Sequence, residues 1–152
     1  MSTLETRRNQ MFPTLDAGQI GILRRFASGE PRSFDPGELV FDIGQQTVAA
    51  WLVLDGTIEV LRRDALRGES PITSQGPGQI TGEVGQLAGR TALVLGRAGE
   101  AGCVALPFDS ASLRALLIGS AEIGELLMRA FILRRVGLIE ARRLRQPADT
   151  IS

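Results

Sequence analysis

The sequence contains no histidine and only one cysteine, which limits the kinds of catalysis, metal binding and disulfide bonding that are open to it. Histidine is the usual general base near neutral pH and the commonest metal ligand, so histidine-based catalysis and metal binding by histidine are excluded. Cys103 can form neither an intrachain disulfide nor a cysteine-rich zinc site, and its place in the apolar stretch AGCVAL predicts a buried thiol. No nucleophile–base pair and no metal-binding cluster stands out. We therefore expect a protein that is not an enzyme and that has no cofactor.

An excess of one charge is also missing, because 17 basic residues balance 17 acidic ones. Without a net field the chain is not expected to attract nucleic acid or a membrane surface. The first residues lack the apolar core of a signal peptide, and no apolar run approaches membrane-spanning length. We therefore expect a cytoplasmic protein.

The 152 residues suit one compact domain, and their pattern changes twice along the chain. Residues 15–26 show helical spacing, with Asp16 as a plausible N-cap. From about residue 32 to residue 106, short apolar runs of period two predict the strands of a roll or sandwich, and Trp51 is expected in its core. In LVLDGTIEV, Asp55 and Gly56 predict a tight hairpin turn between two strands. The predicted boundaries are an N-terminal extension at 1–14, the domain at 15–145 and a tail at 146–152.

Residues 109–145 predict two helices, the first capped by Asp109 or Ser110 and the second by Ser120. The long second helix carries two apolar stripes. One is expected to face its own domain and consists of Ile123, Leu126, Leu127, Ala130 and Leu138. The other consists of Met128, Ile132, Val136 and Ile139, and it predicts a homodimer through this helix, since a surface helix needs only one apolar stripe.

The stretch ITGEVGQLAGRTALV combines glycines, one glutamate and one arginine between two strand-like segments. A helical turn beginning near Gly82 would present free backbone N–H groups to an anion, and Gly85 would let the backbone approach it closely. Glu83 can accept hydrogen bonds from a sugar hydroxyl, and Arg90 can pair with an anion. An anion and a sugar hydroxyl within one turn describe a nucleotide.

These residues resemble the phosphate-binding cassette of cyclic nucleotide-binding domains, in which Gly-Glu, an apolar turn, a short loop and Arg-x-Ala follow one another. FDPGELVFDIGQ and AAWLVLDGTIEVLRRD resemble other strands of that family. The resemblance covers about residues 15–145. It implies an α+β fold like that of catabolite activators, a double-stranded β-helix (jelly-roll) β-roll with a short helix before it and two helices after it.

The resemblance also implies a function, which is to bind cAMP or cGMP and to signal through the last helix. Glu83 corresponds to the glutamate that holds the ribose, and Arg90 to the arginine that pairs with the phosphate. Arg129, Arg135 and Arg142 of the long helix are candidates to approach the ligand. Taken as a short charge pair, Arg134-Arg135 is predicted to be exposed to solvent. The implied ligand-binding residues are Gly82, Glu83, Val84, Gly85, Arg90, Thr91 and Ala92.

The loop before Arg90 is about two residues shorter than the family pattern. An alternative is therefore a fold that binds no nucleotide and acts as a dimerisation or docking module. GEVGQLAGRTALV with AFILRRVGLIE resembles the N-terminal sensor domain of bacterial thioredoxin-reductase-like flavoproteins, which suggests a fused or partner flavoprotein oxidoreductase. Only QPADTIS follows the long helix, so no DNA-reading part is expected.

Overall fold

The computed structural model describes residues 10–42, 48–64, 68–81 and 94–144, and for residues 63, 64, 70 and 135–144 it describes the backbone alone. Helix α1 comes first, six strands follow, and two helices end the described chain. The elements are α1 (Ala17–Phe26), β1 (Arg32–Phe34), β2 (Leu39–Phe41), β3 (Ala50–Asp64), β4 (Gly68–Gln75), β5 (Ile80–Thr81), β6 (Val94–Phe108), α2 (Ser110–Gly119) and α3 (Ala121–Leu144).

Two long strands, β3 and β6, form the centre of the sheet, and every pairing between strands is antiparallel. The order is β1-β6-β3-β4, while β2 pairs with β6 and β5 pairs with β3. An antiparallel sheet with one helix before it and two after it confirms the predicted α+β roll.

The predicted hairpin at Asp55 and Gly56 is wrong, because β3 continues through both residues as one strand. A two-residue hairpin turn of the expected type needs positive φ at both positions, and only Gly56 has it, at 72°. The register between β3 and β6 shifts on both sides of this pair, from Val53 to Asp55 and from Gly56 to Ile58. Asp55-Gly56 is therefore a β-bulge, and the strand bends instead of reversing.

The bulge changes which side chains of β3 face inward. Before it, Trp51 and Val53 point into the roll, whereas Leu52 on the other face packs toward the helices. Beyond it, Ile58 and Val60 point into the roll, so the inward set moves from odd to even positions. Both faces of Ala50–Val53 are buried, which explains the unbroken apolar run of this segment.

The helix caps agree with the sequence. Asp16 forms a capping box with Gln19 at the start of α1, and the Asp109 carboxylate accepts a hydrogen bond from the Ser112 N–H at the start of α2. The Ser120 hydroxyl accepts a hydrogen bond from the Ile123 N–H at the start of α3. These bonds satisfy N–H groups that the first helical turn leaves open, which confirms the predicted helix starts.

The buried apolar residues form two clusters, one on each face of the sheet. The helix-side core lies between the sheet and the helices and consists of Leu15, Leu23, Ala49, Ala50, Leu52, Ile80, Leu106, Phe108, Leu113, Leu116, Ile123, Leu127, Ala130 and Phe131. The roll interior consists of Val40, Phe41, Trp51, Val53, Ile58, Val60, Ala98, Cys103 and Ala105. The expected core positions of Trp51 and Cys103 are confirmed.

The two stripes of α3 differ in exposure. Ile123, Leu127 and Ala130 are buried in the helix-side core, and Leu126 packs against it. Met128 and Ile132 of the second stripe are 41% and 57% exposed. The side chains of Leu138, Val136 and Ile139 lie outside the described part of the chain. Within the described ranges, no helix has the length and apolar character needed to cross a membrane.

Candidate functional site

The predicted ligand-binding residues lie in the segment 82–93, which is outside the described residues. Their roles therefore stay predictions. They are Gly82, Glu83, Val84, Gly85, Arg90, Thr91 and Ala92. The structure does describe β5 and β6, the two strands that flank this segment, and their positions fix the two ends of the candidate site.

The two flanks of segment 82–93 meet the same strand at different places. Before the segment, Thr81 of β5 pairs with Trp51 near the start of β3. After it, Val94 of β6 pairs with Arg62 near the end of β3. The paired strands on both sides therefore fix where segment 82–93 begins and ends, and binding residues are commonly positioned by such a rigid scaffold.

The turn before β5 is held by side-chain and backbone hydrogen bonds. The Gln79 side chain accepts a hydrogen bond from the Gly76 N–H at 2.9 Å and donates one to the Phe12 carbonyl at 3.1 Å. The backbone of Gln79 accepts a hydrogen bond from the Val53 N–H, and the Leu15 N–H donates to the Gly78 carbonyl. The entry to segment 82–93 is thereby fixed to β3 and to residues 12–15.

Arg134 of α3 is buried, so its predicted solvated position is wrong. It is 7% exposed, and its guanidinium donates to the Ile80 carbonyl at 2.9 Å and to the Met11 carbonyl at 2.6 Å. The rings of Phe12 and Phe131 lie 4.9 Å and 5.8 Å from it. Carbonyl acceptors and ring faces both stabilise a guanidinium, which makes its burial tolerable. Arg134 thus joins the long helix to the strand that enters segment 82–93.

A signal for Arg134 was present in the sequence. It lies four residues after Ala130, seven after Leu127 and eleven after Ile123, which places it on the buried stripe of α3. Of the three arginines predicted to approach the ligand, Arg129 is instead exposed and pairs with Glu125 on the same helix at 2.9 Å. The side chains of Arg135 and Arg142 lie outside the described residues.

Buried polar atoms of Trp51 and Gln75 have no hydrogen-bond partner in the described part of the protein. They are the indole Nε1 of Trp51 and the side-chain Oε1 of Gln75, and both residues are 2% exposed. The Trp51 ring packs edge-on against Phe34, and the guanidinium of Arg32 lies 5.5 Å from its centre. Nothing in the sequence distinguished Gln75, because it ends an ordinary polar strand.

Two side chains near the roll have shifted pKa values. Burial raises the pKa of the Cys103 thiol, and the negative charge of Glu38 raises it further. This agrees with the unreactive thiol expected from the sequence. The hydrogen bond to Glu69 raises the pKa of Arg97, which keeps this bridge between β6 and β4 charged.

The geometry agrees with the comparison to known families. Residues 31–119 match the model of the cyclic nucleotide-binding domain. The match covers more than half of the chain, so the chain belongs to the cyclic nucleotide-binding domain family, whose members are regulatory sensor domains and not enzymes. Among curated protein sequences, none matches the chain significantly.

Solved structures show the same fold. The catabolite activator protein of Thermus thermophilus matches 93% of this chain with a TM-score of 0.61 at 20% sequence identity. The N-terminal domain of a transcriptional regulator from Streptomyces coelicolor A3(2) matches 96% of the chain, with a TM-score of 0.58 and 25% identity. A protein from a cyclic-GMP-dependent signalling pathway that regulates bacterial phytopathogenesis matches 82%, with a TM-score of 0.61 and 20% identity.

These structures differ in length. The chain spans 61% of the Thermus thermophilus protein but 96% of each of the other two. The likeness therefore concerns the sensor domain.

Proposed function

We propose that this domain binds a cyclic nucleotide, cAMP or cGMP, through Gly82–Ala92 and signals through its long helix α3. Family membership supports the ligand class, since residues 31–119 include the whole proposed cassette. In this proposal Glu83 holds the ribose hydroxyl, Arg90 pairs with the phosphate, and backbone N–H groups of the glycine-rich turn complete the anion site. The cytoplasmic location expected from the sequence belongs to the same proposal.

The observation that best supports the proposed signalling route is the burial of Arg134. Its guanidinium binds the Ile80 carbonyl, two residues before Gly82, and its own helix continues to Leu144. A ligand that changes the arrangement of Gly82–Ala92 would therefore act on a strand to which α3 is directly bonded. A ligand can shift such an arrangement only by the difference in its affinity for the two states. A coupling of about 1–3 kcal/mol is typical of regulation.

Calorimetric titration with cAMP and cGMP tests the proposal. We expect at least one to bind, and Glu83→Ala and Arg90→Ala should abolish or strongly weaken binding while leaving the melting temperature of the ligand-free protein nearly unchanged. Glu30→Ala and Arg24→Ala are matched controls at exposed positions of the same charge, and they should bind as the wild type does. Absence of binding by the wild type would refute the proposed ligand class.

Hydrogen exchange tests the route separately. With nucleotide bound, protection should change around Gly82–Ala92 and also in α3 beyond Ser120. Binding with a change confined to Gly82–Ala92 would mean that α3 does not carry the signal.

A second candidate is a module that binds no nucleotide and serves dimerisation or docking. The short loop before Arg90 and the exposed Met128 and Ile132 favour it. A second copy of α3 would cover this stripe, and Val136 and Ile139 would extend the contact between the two helices. A flavoprotein of the thioredoxin-reductase-like type is a further proposed partner, and it rests on the sequence motifs alone.

Light scattering at several concentrations distinguishes this module from a monomeric sensor. Ile132→Glu should convert a dimer to a monomer, because symmetry would bring two buried like charges together. Ile118→Glu is the matched control, since Ile118 is 84% exposed on α2 and outside the stripe. A wild type that is monomeric at every concentration would exclude the dimer.

A further inference from the structure

Gln75 is the last residue of β4, and its side chain faces the roll interior. It lies directly opposite Ile58 of β3 in the antiparallel pairing, and directly opposite residues project to the same face of a sheet. Ile58 is fully buried in the roll interior. The amide group of Gln75 is therefore enclosed next to apolar side chains.

The side-chain oxygen of Gln75 has no hydrogen-bond partner within the described residues. Buried acceptors are nearly always satisfied in native proteins, because leaving one without a donor is unfavourable. Gln75 is 2% exposed and lies opposite the buried Ile58, so its side-chain oxygen is enclosed without a donor among the described residues. An apolar enclosure with a few polar groups is also the usual form of a small-molecule site.

Gln75 is also close in the chain to the proposed cassette. Only the turn 76–79 and the two residues of β5 separate it from Gly82. That turn is fixed to β3, since Gly78 and Gln79 exchange backbone hydrogen bonds with Val53. The position of Gln75 is therefore set by the same scaffold that sets the start of Gly82–Ala92.

We propose that Gln75 determines ligand specificity, its side-chain carbonyl accepting a hydrogen bond from an N–H group of the bound base. This inference rests on the proposed function. Within a bound cyclic nucleotide the phosphate has no N–H group and the ribose hydroxyl is assigned to Glu83, so the donor in this proposal belongs to the base. Adenine and guanine each offer an exocyclic amino group, and glutamine side chains commonly recognise such edges.

Gln79 provides a matched control four residues away. Its side-chain amide already accepts a hydrogen bond from the Gly76 N–H and donates one to the Phe12 carbonyl, so Gln79 has a structural role in the absence of any ligand. Leucine has nearly the volume of glutamine and no polar atoms. Gln75→Leu and Gln79→Leu therefore make the same chemical change at two residues: the side-chain oxygen of Gln75 has no donor among the described residues, and that of Gln79 has one.

The experiment measures how each protein distinguishes a base from the same base without its amino group. The probes are cAMP against purine riboside 3′,5′-cyclic monophosphate, and cGMP against cyclic IMP, titrated by calorimetry. For the natural nucleotide that binds more tightly, the wild type should prefer the amino form by about tenfold, as expected for one buried hydrogen bond. Gln75→Leu should bind both forms about equally, and Gln79→Leu should keep the preference.

Thermal unfolding without ligand gives a second readout. Gln75→Leu should melt at the same temperature as the wild type or higher, because it removes an unpaired buried acceptor. Gln79→Leu should melt at a lower temperature, because it breaks two hydrogen bonds. Gln75→Met repeats the first substitution with a flexible side chain in case leucine does not fit.

The outcomes separate the inference from the proposed function. Binding by the wild type with the same amino-group preference in Gln75→Leu overturns the inference and leaves the proposed function intact. A lower melting temperature in both Gln75 variants with unchanged ligand preference also overturns it, since Gln75 would then be structural. Failure of the wild type to bind either natural nucleotide overturns the proposed function and this inference with it.

Discussion

The two clusters of buried residues on either face of the sheet differ in what they contain. The helix-side core holds most of the large, fully buried side chains, including Phe108, Leu113 and Leu127. The roll interior holds smaller ones such as Ala98 and Ala105, and it also holds polar atoms of Trp51 and Gln75 that have no partner among the described residues. Large close-packed aliphatic groups contribute most to stability, whereas unpaired polar atoms lower it. We infer that the helix-side core stabilises the domain and that the roll interior is suited to recognition.

The largest effect on stability should come from replacing one phenylalanine in each cluster with alanine. Phe108→Ala in the helix-side core should lower the free energy of unfolding by about 3–5 kcal/mol, because a fully enclosed site cannot collapse around the cavity. Phe41→Ala should cost less, since Phe41 belongs to the three-residue strand β2 and keeps some exposure. Urea unfolding followed by the fluorescence of Trp51 measures both. Equal losses would contradict the assignment of stability to the helix side.

A smaller effect should come from the bulge through which β3 changes its inward-facing positions. Gly56→Ala requires a left-handed backbone and brings the new Cβ within 2.1 Å of the Gly102 carbonyl oxygen. Gly37→Ala requires a similar backbone, but its Cβ would meet nothing within 4 Å.

Gly37→Ala, the control, should therefore lower the free energy of unfolding only by the cost of a left-handed backbone, about 1–2 kcal/mol. Gly56→Ala should lower it by about 1–3 kcal/mol more, because its Cβ overpacks the contact with Gly102. Thermal or urea unfolding of the two variants gives the difference. If they are equally stable, the close approach of Gly56 and Gly102 does not hold the bulge.

The smallest effect should come from the border of the helix-side core. Arg134→Met removes the hydrogen bonds to Ile80 and Met11 and should lower the free energy of unfolding by about 1–3 kcal/mol. Arg129→Met removes only an exposed ion pair within α3 and should cost less than about 0.5 kcal/mol. Hydrogen exchange at the Leu15 amide, which donates to Gly78, should accelerate in the first variant alone. Unchanged exchange would show that Arg134 does not hold residues 12–15 in place.

Local patterns in the sequence were sufficient for the helices and for the class of fold. Asp16, Asp109 and Ser120 begin helices because a side-chain acceptor at an N-cap acts within a single turn. The period of the apolar residues likewise marked the strands and the buried stripe of α3. Such signals involve neighbours in the chain, so the sequence contains them in full.

The errors arose where residues distant in the chain decide the outcome. Asp55-Gly56 has the composition of a hairpin turn, but Gly102 of the paired strand β6 packs against it, and the pair becomes a bulge. For the candidate site, the glycine-rich segment and its Glu83 and Arg90 came from the sequence, and their roles stay predictions. The burial of the Gln75 side chain could not be predicted from its neighbours in the sequence, because a polar residue at the end of a strand is usually solvated.

The sequence by itself determined the α+β class, the helix starts and the family resemblance, since each depends on side chains a few positions apart. Only the tertiary structure decided which backbone carbonyls Arg134 binds and that the side-chain oxygen of Gln75 has no donor among the described residues. The partners of Arg134 lie 54 and 123 residues away in the chain, and no local pattern encodes which backbone carbonyls the folded sheet brings to it. Whether a polar group is satisfied is a property of its whole three-dimensional neighbourhood, because burial removes water from every side at once.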